Sequence, residues 1–193
     1  CKALHERNLL PKVISGSSAG SLVTGMLGTH NDEELVKMYD GEGFYHHAWT
    51  WKKMREGLLG QGFAEQKQLE HFVRNNIGEY TFEEAFAKTG RHINVTVSPV
   101  QAHKARLMNE LTSPYLLVWS AALASCAVPI LFPAVTLTAK NYQGEYHPYM
   151  PAKQWVDGSV RSDLPRQRLA RLFNVNYFIA SQVNPHIVPF MQT

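Results

Sequence analysis

Cysteine is scarce in this chain, and dense runs of charge are missing. Its 193 residues include two cysteines, Cys1 and Cys126, which are too few for the disulfide framework of a small secreted domain. The net charge of +3 comes without a dense Lys/Arg tract, so the sequence does not predict a nucleic-acid groove. With 45% hydrophobic and 18% charged residues, the chain can bury a sizeable core, and we expect one soluble globular domain.

Two further features bear on membrane insertion and secretion. No signal-peptide pattern opens the chain, and residues 1–10 instead have the pattern of a helix before a strand. Residues 111–139 contain no charged side chain and exceed the length needed to span a bilayer. Because Pro129 and Pro133 would break a helix there, we predict a buried helix over about 114–127, followed by a loop and a strand.

A short β-branched run leads into the sequence Gly-Ser-Ser-Ala-Gly at residues 16–20. A Gly-x-Ser-x-Gly motif between a strand and a helix predicts a nucleophile elbow, in which Ser18 lies on a strained turn with its hydroxyl exposed. We expect Gly16 and Gly20 to remove Cβ atoms that would collide where strand and helix meet. We expect the Ala19 N–H to donate to a developing oxyanion. The alternative is a Gly/Ser-rich loop before an ordinary helix.

Asp157 is the second candidate site residue. It ends the short predicted strand Trp155-Val156-Asp157 and is followed by Gly158 and Ser159. A carboxylate at the end of a buried strand, before a glycine that allows a sharp turn, is well placed to face a nucleophile at a neighbouring strand end. An ordinary Asp-Gly turn is the alternative.

Residues 44–59 combine aromatic with basic side chains. A basic amphipathic helix carrying Trp can lie in the headgroup region of a lipid surface, and the alternative is a cap helix packed on the core. The candidate lipid contacts are Trp49, Trp51, Lys52, Lys53 and Arg55. His46 and His47 are adjacent and have no further ligand at suitable spacing, so we predict no metal site.

The rest of the chain predicts an α/β fold. Capping boxes at Asn31 and Thr81 begin two helices. Residues 92–99 alternate as a strand that pairs with a second strand at 104–111, and residues 177–180 predict a last strand. Strands that alternate with helical patterns imply a mostly parallel sheet with helices on both faces.

Residues 16–20 and the Asp157-Gly158-Ser159 sequence together resemble the patatin-like phospholipases, and residues 173–186 are similar to the triacylglycerol lipase branch of that family. The resemblance spans nearly the whole chain and implies a patatin-like three-layer α/β fold. It also implies a Ser-Asp dyad, which carries onto Ser18 and Asp157. Ser159 stands where many relatives have a second glycine. The order Ser18, Asp157, His186 would suit a Ser-His-Asp esterase as well, but the resemblance assigns Asp157 directly to Ser18.

The resemblance implies a lipid acyl hydrolase that cleaves carboxylic esters of triacylglycerols or phospholipids through an acyl-enzyme. It implies an intracellular protein, peripheral to a membrane or lipid-droplet surface, that needs no metal or organic cofactor. The alternatives are a Ser-His-Asp esterase and a catalytically silent lipid-surface binding protein. The glycine-rich oxyanion loop of the family normally lies upstream of the first helix here, so we expect residues 1–193 to form a patatin-like domain that is incomplete at its N-terminus.

Overall fold

The computed structural model describes residues 1–42, 62–101, 104–127, 133–157 and 164–181. The helices are α1 (Lys2–His5), α2 (Ala19–Thr29), α3 (Asp32–Tyr39), α4 (Gly62–Ile77), α5 (Phe82–Thr89), α6 (Val118–Cys126) and α7 (Arg166–Phe173). The strands are β1 (Val13–Gly16), β2 (His92–Pro99), β3 (Arg106–Met108), β4 (Thr138–Lys140), β5 (Tyr146–Pro148) and β6 (Trp155–Asp157).

β2 is the centre of a four-stranded sheet. β3 pairs antiparallel with β2 along Val95 to Val97. β1 pairs parallel and ends with Gly16 opposite Val95, whereas β6 pairs antiparallel and ends with Asp157 opposite Val97. Val95 pairs with both β3 and β1, and Val97 pairs with both β3 and β6. Because a strand residue has only one neighbour on each side, β1 and β6 must both lie along the edge of β2 that faces away from β3. Their C-terminal ends therefore converge on this edge.

One face of the sheet carries the main hydrophobic core. Ile93, Val95 and Val97 of β2 are fully buried in a cluster with residues of α2, α4 and α6. α6 is buried along its whole length, as expected for a helix that is apolar on every side. An added Cβ at Gly28 would overlap the side chain of Ile93, so glycine allows α2 to lie this close to β2.

The alternate residues of β2 form the opposite face of the sheet. Asn94 is buried there and accepts a hydrogen bond of 2.7 Å from the side chain of Asn109. The ring of Phe173, in α7, lies 4.9 Å from that of His92. Helices thus contact both faces of a mixed sheet, and the predicted three-layer α/β fold is confirmed.

Several local predictions are confirmed by the helix ends. Asn31 accepts from the N–H of Glu34 at 2.9 Å, and the Glu34 carboxylate accepts from the N–H of Asn31 at 2.7 Å. Thr81 and Glu84 form the second capping box. The buried helix predicted within the uncharged stretch is α6, which has nine residues. None of the helices in the described ranges has both the length and the apolarity to cross a bilayer.

Two predictions about strands were wrong. Residues 177–180 form no strand, and Tyr177 and Ile179 are 97% and 79% exposed. A short apolar run needs a partner strand to pair with, and none of the described strands pairs with this one. Residues 141–153, which are rich in Tyr, Pro and Gly and for that reason predict a loop, contain β5, which pairs with β4. β5 gave little signal because it has three residues and ends in Pro148.

Candidate active site

Ser18 lies at the turn between β1 and α2 and is the N-cap residue of α2. Its backbone has φ 51° and ψ −127°, a conformation that costs a residue with a side chain about 1–3 kcal/mol. Strain of this kind at the serine is a feature of the nucleophile elbow. The turn has the predicted geometry, and the nucleophilic role of Ser18 stays a prediction.

The two glycines of the motif differ in what they do. A Cβ at Gly16 would overlap the carbonyl group of Gly20 and lie 2.5 Å from Oγ1 of Thr24, so Gly16 is required by the close approach of β1 and α2. The steric role predicted for Gly20 was wrong, because a Cβ there would meet no atom within 4 Å in the described part of the chain. Gly20 contributes its carbonyl to the contact, and every residue has a carbonyl.

Hydrogen bonds fix the backbone of Ser18 on both sides. Its N–H donates to Oγ of Ser125 at 2.9 Å, and Ser125 donates in turn to the carbonyl of Thr96 at 2.8 Å. The carbonyl of Ser18 accepts hydrogen bonds from Oγ of Ser21 at 2.6 Å and from the thiol of Cys126 at 3.3 Å. Ser125 and Cys126 are buried residues at the end of α6. The end of α6 thereby holds the strained turn in place.

Asp157 is held by the same end of α6. It is 2% exposed, and its N–H donates to the carbonyl of Ala127 at 3.0 Å. Burial raises the pKa of the Cys126 thiol to about 12, the hydrogen bond with Ser21 opposes this rise, and the charge of Asp157 adds to it. Three consecutive residues, 125–127, thus hydrogen-bond to both residues that the sequence predicted as a pair, and the pairing itself stays a prediction.

The N–H of Ala19 is placed where it could donate to a ligand. Ala19 is the exposed first residue of α2, and the first N–H groups of a helix have no partner within it. Among the described residues no acceptor bonds to this N–H. Its predicted role toward an oxyanion stays a prediction.

Other predicted site residues lie outside the described part of the chain. They are Gly158, Ser159, Trp49, Trp51, Lys52, Lys53, Arg55 and His186. The roles predicted for them stay predictions. Within the described ranges, no group of three or more His, Cys, Asp or Glu residues is arranged to hold a metal ion.

Sequence reasoning did not assign a role to Ser21, Ser125 or Cys126. Ser125 was visible only as a polar residue in an apolar helix. Buried polar side chains are nearly always hydrogen-bonded, so such a serine indicates a buried partner. The sequence does not identify that partner, because Ser125 and Ser18 are 107 residues apart.

A Gly-x-Ser-x-Gly sequence with its serine on a strained strand-to-helix turn, on a sheet covered by helices, is typical of serine ester hydrolases. The model of the patatin-like phospholipase family matches residues 1–170. The chain is 39% identical over 211 residues to triacylglycerol lipase SDP1L of Arabidopsis thaliana, covering 99% of this chain and 26% of that protein. It is 40% identical over 206 residues to triacylglycerol lipase 4 of Saccharomyces cerevisiae, covering 98% and 22%.

Among solved structures, VipD from Legionella pneumophila is similar with a TM-score of 0.46 and 15% identity, over 85% of this chain and 43% of that one. The chain spans about a quarter of the length of the curated relatives it matches. It belongs to the patatin-like phospholipase family, whose lipases and phospholipases are serine ester hydrolases. The resemblance inferred from the motifs is confirmed.

The difference between the two motif glycines predicts opposite effects on stability. Gly16→Ala should lower the free energy of unfolding by about 1–3 kcal/mol or more, because its methyl group would overlap backbone. Gly20→Ala should leave it unchanged or raise it by up to about 1 kcal/mol, because alanine is favoured over glycine in a helix. Denaturant unfolding of both variants checks this. Equal destabilisation would contradict the steric assignment.

The environment of Cys126 predicts an unreactive thiol. Because its pKa is raised to about 12, about one thiol in ten thousand is ionised near pH 8, and the thiolate is the reactive form. Iodoacetamide should therefore alkylate the exposed Cys1 of the folded protein at least about 100-fold faster than Cys126. Mass spectrometry of peptides at timed intervals measures both rates. In denaturant the two rates should converge, and similar rates before unfolding would show that Cys126 is accessible.

Proposed function

We propose that this chain is a lipid acyl hydrolase that cleaves carboxylic esters of triacylglycerols or phospholipids through an acyl-enzyme on Ser18. One observation carries the proposal. The end of α6 bonds to the strained backbone of Ser18 through residues 125 and 126 and to Asp157 through residue 127. Membership of the patatin-like family supports the same reaction class.

In the proposed reaction, Asp157 accepts the proton of the Ser18 hydroxyl as Oγ attacks the ester carbonyl. The N–H of Ala19 donates to the oxygen that becomes negatively charged. Asp157 then gives the proton to the leaving alcohol as the ester C–O bond breaks. In the second half, Asp157 takes a proton from water, the hydroxide attacks the acyl-enzyme, and the proton returns to Ser18 as the fatty acid leaves.

Two features support Asp157 as the base. Its carboxyl group is almost fully buried at the end of β6, and β6 ends next to β1, from which the Ser18 turn leads. Its charge also acts on the thiol of Cys126, which donates to the Ser18 carbonyl. Asp157 is therefore proposed as the base from the position of β6 next to β1 as well as from the family resemblance.

We further propose that the protein acts inside the cell, at the surface of a membrane or lipid droplet. Acylglycerols and phospholipids gather in such surfaces, so a hydrolase must reach them there. The aromatic and basic composition of residues 44–59 suits an interfacial segment.

The proposed dyad predicts which variants lose activity on a chromogenic fatty-acid ester. Ser18→Ala and Asp157→Asn should each lower kcat by about 1,000-fold or more, because each removes a group that takes part in the reaction. His186→Ala should keep most of the activity. If it loses as much as Asp157→Asn while remaining folded, the base is a histidine and the enzyme is a Ser-His-Asp esterase.

The same assay separates an enzyme from a lipid-binding protein. A wild-type protein that binds vesicles but shows no turnover beyond that of Ser18→Ala would have only a binding function. Circular dichroism of each variant controls for loss of fold.

The proposed lipid contact predicts a substrate-dependent effect. Replacing Trp49 and Trp51 by Ala should reduce turnover of vesicle or emulsified substrate by about tenfold and leave a soluble short-chain ester nearly unaffected, because only the first substrate requires surface binding. Binding to anionic vesicles should weaken as salt rises, since Lys52, Lys53 and Arg55 would face charged headgroups. Equal losses on both substrates, or a marked fall in melting temperature, would indicate a cap helix packed on the core.

A further inference from the structure

We propose that Ser125 is a positioning residue for the nucleophile, which holds Ser18 at a fixed place on the central strand of the sheet. The inference rests on the proposed function, because it assigns to Ser125 the orientation of the attacking hydroxyl. Ser125 lies 107 residues from Ser18 in the chain. Neither the motif nor the dyad includes it.

The two hydrogen bonds of Ser125 have a fixed direction. A hydroxyl has one proton to donate, and Ser125 donates it to the carbonyl of Thr96 at 2.8 Å. Its lone pair is therefore available to the N–H of Ser18 at 2.9 Å. Because Ser125 is fully buried, bulk water cannot take over either bond. The side chain thus connects the Ser18 backbone to β2 without a competing partner.

Ser125 bonds to β2 at Thr96, and the position of Thr96 in the sheet explains why this bond matters. Thr96 lies between Val95, which is opposite the last residue of β1, and Val97, which is opposite Asp157. Among the described strands, neither β1 nor β6 pairs with Thr96 on their shared edge. Ser125 therefore attaches the nucleophile turn to the one residue of β2 that separates the two strand ends.

The N–H and the carbonyl of Ser18 are not equally secured. The carbonyl has three donors, which are the N–H of Ser21 at 2.9 Å, Oγ of Ser21 at 2.6 Å and the thiol of Cys126 at 3.3 Å. In the described part of the chain, the N–H has one acceptor, which is Ser125. Loss of Cys126 leaves the carbonyl bonded, whereas loss of the Ser125 hydroxyl leaves the N–H without a partner. The structure thus predicts that loss of the Ser125 hydroxyl lowers kcat more than loss of the Cys126 thiol does.

Removal of the Ser125 hydroxyl should change the chemical step rather than substrate binding. The conformation of Ser18 is strained, and a strained residue persists only while its surroundings hold it. Without the bond the turn can relax, and the Ser18 hydroxyl then moves relative to Asp157 and to the Ala19 N–H. Ser125 is fully buried, so its side chain forms no part of the surface that a substrate can reach.

The test compares two serines of α6. Ser125→Ala should lower kcat by about 10- to 100-fold, as a small misplacement of a reacting group does, with KM within about twofold of wild type. Ser120→Ala is the matched control, because Ser120 is equally buried on the same helix and accepts a backbone N–H, that of Thr138, at 2.8 Å. Ser120→Ala should lower the free energy of unfolding by about as much as Ser125→Ala but leave kcat unchanged. Cys126→Ala should lose less kcat than Ser125→Ala.

A second measurement reports on the hydrogen bond itself. Hydrogen exchange of the Ser18 amide, resolved by NMR, should be slow in wild type and faster by about 10-fold or more in Ser125→Ala, since exchange requires the bond to open. Ser120→Ala should leave this amide protected. If Ser125→Ala does not fold, Ser125→Cys keeps nearly the same volume with a much weaker acceptor and should show the same changes.

Labelling of Ser18 by a fluorophosphonate separates failure of the inference from failure of the proposed function. If wild type is labelled and turns over ester, but Ser125→Ala retains wild-type kcat or Ser120→Ala loses as much, the positioning role is overturned alone. If wild type is neither labelled nor active, the proposed function is overturned and the role falls with it. Loss of kcat and of amide protection in Ser125→Ala, with Ser120→Ala unaffected, supports the inference.

Discussion

The edge of β2 that β1 and β6 share is the constraint on which the candidate site depends. β1 runs along this edge in the direction of β2 and ends opposite Val95, whereas β6 runs in the other direction and ends opposite Val97. If β6 were parallel to β2, its first residue rather than Asp157 would lie next to β1. The antiparallel direction of this one strand therefore places Asp157, at the end of β6, near the end of β1 that leads into the serine turn.

α6 fixes the distance between these two parts of the site. Its last residues contribute a hydroxyl and a thiol to Ser18, and Ala127 contributes a main-chain carbonyl to Asp157. Carbonyls at the C-terminus of a helix have no partner within the helix, so Ala127 can accept the N–H of a strand. Because α6 is buried on all sides, it cannot shift without disturbing the packed core.

Local signals predicted much of this structure. The strand at His92–Pro99, both capping boxes and the turn at Ser18 follow from alternation, capping residues and glycine spacing within a few residues. Two features that depend on distant partners were not predicted. The close packing of Gly28 on Ile93 and the hydrogen bond from Ser18 to Ser125 join segments more than 60 residues apart. The apolar pattern at residues 177–180 was misleading for the same reason, because pattern alone does not supply a neighbouring strand.

The hydroxyl of Ser125 also restricts how this sequence can vary. Position 125 must accept one hydrogen bond and donate another inside a space that is fully closed. Asparagine has both functions but is too large, and alanine and glycine have neither. Among homologues that retain the serine turn, this position should be restricted to serine and, where the core has room for a methyl group, threonine. A change to any other residue should be accompanied by a substitution that supplies a new acceptor for the Ser18 N–H.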